Sequence, residues 1–241
     1  MLAPLLRRGK RVNGVDVSVK DEGPQGRGRL VAWLGLAAAL VLLNVLSIFF
    51  GDVPADRMYV IRWSTTGLAL LQFGLMLAGT LVIARGAGLR ETLALTAPSS
   101  WIRAAAIGAV VFIGTLVVLV LVDSLLPTGG TQPAASPWDP DRAIPYVVNA
   151  LIIALVAPVV EELMFRGLGF SLLARFGQGA AILVTAALFG VGHGLFGLAL
   201  AATAFGLGLG YLRSQTGSVY PGILLHILVN ALSVSAIAFG S

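Results

Sequence analysis

The chain has 241 residues, 57% hydrophobic and 11% charged, with a mean hydropathy of +0.93; soluble domains carry about 25% charged residues, so a water-exposed globule is excluded and lipid must cover the surface. Cysteine is absent, which excludes a disulfide framework, a thiolate metal site and a cysteine nucleophile. The net charge of +5 does not mark a nucleic-acid partner, because no basic stretch is interleaved with aromatics on a soluble face.

Residues 1–29 hold seven Lys/Arg among Gly, Pro and Asn and read as a basic cytoplasmic tail resting on anionic headgroups. They do not read as a secretory signal, since the apolar run that follows is too long and lacks a small-residue cleavage pattern. Apolar runs then recur near 30–50, 60–84, 102–126, 144–165, 179–194, 196–213 and 219–239. None alternates apolar with polar residues, as barrel strands would. The expected fold is therefore all-α, a polytopic transmembrane bundle of about seven to eight helices. In the break at 85–101, Leu89–Leu95 predicts a short interfacial helix anchored by Trp101. The break at 127–142, PTGGTQPAASPWDPDR, reads as a loop. All but three of the 16 Lys/Arg fall on one side of this arrangement, the exceptions being Arg57, Arg62 and Arg142. Positive charge stays inside, so the N-terminus is expected in the cytoplasm. The Ala-, Gly- and Arg-rich composition points to a bacterial cytoplasmic (inner) membrane.

Ionisable residues beside the apolar runs concentrate in the last hundred residues: Glu161, Glu162, Arg166, His193 and His226, the last two being the only histidines. An ionisable group at mid-bilayer costs about 2.5–3.5 kcal/mol on insertion scales, so it marks function by default. In APVVEELMFRG (157–167), Glu162 and Arg166 stand four apart and pair along one helix face, while Glu161 points about 100° away. Pro158 opens that helix and frees a carbonyl. In TAALFGVGHG (185–194), Phe189 shares a face with His193, and three glycines permit close approach. In YPGILLHILVN (220–230), His226 and Asn230 project from one face as hydrogen-bond donors suited to a developing oxyanion. Each motif alone also fits a helix-end salt bridge or interhelical polar glue. Their value lies in their order on three separate helices.

The ordered set EExxxR, FxxxH, HxxxN resembles the CPBP intramembrane protease family, also called ABI or CAAX-protease-like, which includes the type II CAAX prenyl endopeptidases. The likeness covers about residues 144–239 and divides the chain into the tail 1–29, N-terminal transmembrane helices 30–143 and a catalytic core 144–241. It implies an endopeptidase acting inside the membrane on a membrane-associated peptide or protein. Glu161 would activate water with His193, His226 and Asn230 would hold the oxyanion, and Glu162, Arg166 and Phe189 would support them. Family and spacing leave the metal open; the absence of HExxH and the surplus negative charge of an adjacent Glu pair favour a mechanism with no cofactor. Glu161, His193 and His226 would be the ligands if Zn²⁺ were used instead. Two other readings stay open from sequence: a proton-coupled transporter, which buried Glu and His also suit, and a non-catalytic membrane scaffold or immunity protein. Transporters carry paired broken spans in their two halves, and no such pair is found.

Overall fold

A computed structural model describes residues 23–50, 62–125, 140–194 and 196–239. The predicted tail before residue 23 and the loop residues 127–139 lie outside the described residues. Eight helices follow one another: α1 (Gly23–Phe50), α2 (Trp63–Ala84), α3 (Leu89–Thr92), α4 (Trp101–Leu125), α5 (143–173), α6 (Gln178–Gly192), α7 (Gly197–Thr216) and α8 (Tyr220–Phe239). The described residues contain no strand. Four helical stretches are long and apolar enough to cross a bilayer, and α1 and α4 expose Val31, Leu42, Ile102, Val110 and Val120 to what lipid would cover. The protein is a polytopic helical membrane bundle.

Two boundaries differ from the sequence expectation, for traceable reasons. Helix α1 begins at Gly23 rather than near residue 30. Arg27 and Arg29 therefore lie on the helix and not on the tail, and Arg29 Nε donates to Ile83 O at the end of α2. Helix α5 continues past residue 165, and Arg166, one residue beyond the predicted run, is buried and ion-paired to Glu162 within the helix. Once its charge is matched, an arginine does not have to end a span.

Helix α5 is widened twice into π-helix, at Ile152–Val156 and Leu163–Gly169. The first widening precedes Pro158, which has no N–H to give. Ala157 N–H reaches back five residues to Ile152 O, and the next carbonyl in that pattern, Ile153 O, faces the proline. The second ends where Phe170 N–H reaches Phe165 O. Widened turns of this kind frequently mark functional sites.

Small residues bring α6 and α7 together. A Cβ on Gly206 would lie 3.1 Å from Ala186 Cα, and one on Gly210 would lie 3.2 Å from Ile182 Cγ2. The backbones can approach this closely only without side chains between them. The start of α8 is held from outside the helices: Val219 N–H donates to Ala94 O and Ser99 N–H to Thr216 O. The core behind the site is formed by Trp33, Met164, Leu168, Phe189 and Leu209.

Candidate active site

Helix α6 has 15 residues. At 1.5 Å per residue that is about 22 Å, short of a hydrocarbon core of about 30 Å. The helix is therefore too short to cross by itself, and His193 is its C-terminal cap. Irregular backbone at membrane depth is tolerated only where protein buries it or a wet cavity lies beside it. The two acidic residues of α5 and the polar residues of α8 come to this break.

Glu161 stands between the two imidazoles. Its Oε1 is 4.0 Å from His193 Nε2 and its Oε2 is 3.7 Å from His226 Nε2. Both gaps exceed a direct hydrogen bond but suit groups that share one water molecule. The side chain of His193 is 32% exposed and that of Glu161 is 13% exposed, whereas His226 is buried. The site is therefore more open on the His193 side.

Hydrogen bonding fixes how each ring presents itself. His193 Nδ1 lies 2.7 Å from Phe189 O. A carbonyl only accepts, so Nδ1 carries the proton and Nε2 turns a lone pair toward Glu161 when the ring is neutral. His226 Nδ1 lies 3.3 Å from Glu162 Oε1, and that carboxylate oxygen also takes Arg166 Nη1 at 2.7 Å. His226 Nδ1 is thus the donor to Glu162. Its Nε2 is turned toward Glu161.

Protein groups pack closely around this set. Arg166 Nη2 donates to Gly206 O at 3.1 Å, and its guanidinium lies 4.4 Å from the Phe189 ring centre. Phe189 also packs on both imidazoles, with ring centres 4.2 Å from His193 and 5.6 Å from His226. Glu162 and Arg166 are fully buried, so they form part of the interior and not of a helix end. Asn230 is placed differently from the carboxylate group. Its Nδ2 donates at 2.9 Å to Ile153 O, the carbonyl that Pro158 leaves without a partner. An amide nitrogen has two N–H groups, so one is committed to α5 and one remains.

Phe205, whose ring stands edge-on to His226 at 5.2 Å, belongs to the site but to no motif, and Gly222, inside the YPGILLHILVN motif, has no role assigned from sequence. A Cβ on Gly222 would lie 2.8 Å from Glu162 Oε2. Gly222→Ala is expected to lower stability by about 1–3 kcal/mol through overpacking and to displace Glu162 from His226. Thermal unfolding in detergent and the cleavage rate read the two effects.

Among the described residues, no group of three or more His, Asp or Glu side chains is arranged to hold a metal ion. The 4.0 and 3.7 Å separations are wider than the roughly 3.3 Å between ligand atoms of a zinc tetrahedron with bonds near 2.0 Å.

A helical membrane bundle whose interior gathers a carboxylate, two imidazoles and a buried Glu–Arg pair has the elements of a membrane hydrolase. Residues 143–232 match the family described as type II CAAX prenyl endopeptidase Rce1-like. That match supports a protease of the CAAX type, and the long apolar helices place it in a membrane. No curated protein and no solved structure matches the chain.

Proposed function

We propose that the protein is an endopeptidase that hydrolyses a peptide bond of a membrane-associated protein or peptide, using water activated by Glu161. The observation that carries this reading is the placement of the Glu161 carboxylate within 4.0 Å of an imidazole on each side. A water molecule hydrogen-bonded to Glu161 and to His193 Nε2 loses its proton to Glu161 as its oxygen attacks the scissile carbonyl. The carbonyl oxygen becomes an oxyanion and is met by His226 Nε2–H and by the remaining N–H of Asn230. Such donors are most effective where they are preorganised and water is excluded. As the C–N bond breaks, Glu161 returns the proton to the leaving amine. The products are a carboxylate and an amine, and no acyl-enzyme forms.

Charge balance supports this assignment. Glu162 and Arg166 neutralise each other at 2.7 Å, which leaves Glu161 free of the arginine. A buried charge without a partner would be costly. The arginine distribution favours a cytoplasmic N-terminus in a bacterial inner membrane.

The test is cleavage of a membrane-peptide library, with and without a lipidated C-terminus, by the purified protein in lipid nanodiscs. With the chelator phenanthroline present, the rate is expected to stay within about twofold of the untreated value, because no step uses a metal-bound water. A loss that added zinc restores would replace the water-and-glutamate mechanism with a metal one.

A further inference from the structure

Helix α1 lies outside the family-matched segment, yet it hydrogen-bonds to both helices that carry the proposed base and its imidazole partner. Trp33 Nε1–H donates to Met164 O on α5 at 3.0 Å. Asn44 Nδ2–H donates to Gly192 O at the end of α6 at 2.5 Å. The two residues are eleven positions apart, about three helical turns, so they project from one face of α1. Asn44 is the one amide in residues 30–50, where Ser47 is the other polar side chain and donates to Asn44 O.

The groups that accept these bonds are specific. The last carbonyls of a helix have no partner within it, and at this depth lipid offers none. At the end of α6 the protein supplies one for each. Phe189 O takes His193 Nδ1, Gly190 O takes His193 N–H and Val191 O takes Gly194 N–H. Gly192 O, on the residue bonded to His193, takes Asn44. The Trp33 bond falls in the widened turn Leu163–Gly169, directly after Glu161 and Glu162. Its buried indole occupies the space that a Cβ on Gly169 would fill.

We propose that α1 is a clamp that sets the separation of Glu161 and His193, with Asn44 and Trp33 as positioning residues. The inference rests on the role given above to that pair. Ordinary interhelical glue would support stability alone. A clamp acts on the turnover step, because a displacement of about 1 Å at a reacting group costs about a hundredfold in rate.

The chain has two histidines, so isotopic labelling of histidine ring nitrogens gives one set of magnetic-resonance signals for each. Asn44→Ser removes the reach to Gly192, and the serine hydroxyl satisfies itself on its own helix. Asn44→Ser in nanodiscs is expected to lower kcat by about tenfold or more with KM within about twofold, and to move the His193 signals but not those of His226. Asn44→Gln, which keeps the amide, recovers part of both. Trp33→Phe, which keeps the ring and loses the N–H, lowers kcat in the same direction. Wild-type kcat together with unmoved His193 signals in Asn44→Ser overturns the clamp, as does an equal movement of both histidines. If Asn44→Ser does not fold, Asn44→Leu is read by the same two measurements. If the wild-type protein cleaves no peptide, the proposed function fails, and the ring signals alone decide the clamp.

Discussion

Glu161→Ala is expected to remove peptide cleavage, lowering the rate by about two to four orders of magnitude, while the protein keeps its unfolding temperature. The two halves of this expectation have one structural cause. Glu161 is the carboxylate that faces the hollow, and its imidazole neighbours lie at 4.0 and 3.7 Å, beyond direct hydrogen bonding. Removing it leaves no buried group stripped of a bond it was making, so folding is spared, but the proton acceptor for water is gone. Glu161→Gln preserves the shape and should be equally inactive, which separates loss of the base from loss of packing. The initial rate on a membrane peptide and a thermal unfolding curve for each variant are sufficient. Wild-type activity in either variant would remove Glu161 from the reaction.

Arg166→Met should do the opposite, acting first on stability. Arg166 bonds Glu162, bonds Gly206 O and lies on the Phe189 ring, all out of contact with water. Removing one partner of a buried ion pair costs about 3–5 kcal/mol, because the other is left charged and unmatched. Replacing both by apolar residues is often far less harmful, so Glu162→Leu combined with Arg166→Met is expected to unfold at a higher temperature than Arg166→Met alone. The coupling read from that cycle should be large, since the side chains touch. The double variant should still lose activity, because His226 Nδ1 no longer has the Glu162 carboxylate that orders it. Unfolding temperatures that simply add would place the pair at a solvated surface.

The contrast between adjacent glutamates explains what could be read in the sequence. The four-residue spacing of Glu162 and Arg166 predicts their pairing, and one further step around the helix predicts that Glu161 looks elsewhere; both hold. The apolar runs lead directly to α1, α2 and α4 through α8, and Leu89–Leu95 to α3, because a bilayer demands long uninterrupted apolar stretches. The opening at Pro158 follows from its missing N–H. Other features depend on which helices become neighbours, and local spacing carries no record of that. The bond from Asn230 to Ile153 spans 77 residues and that from Asn44 to Gly192 spans 148. The full burial of Arg166 was hidden for the same reason: its bond to Gly206 O spans 40 residues.

The most direct measurement is a single turnover in heavy-oxygen water, with the protein in excess over a membrane peptide and the new C-terminal carboxylate analysed by mass spectrometry. If Glu161 passes water straight to the scissile carbonyl, every product molecule of that first turnover carries one heavy oxygen and Glu161 carries none. Product released without the label, with the heavy oxygen found in the Glu161 side chain, would mean that the carboxylate itself attacked the peptide and would contradict the water-activating role.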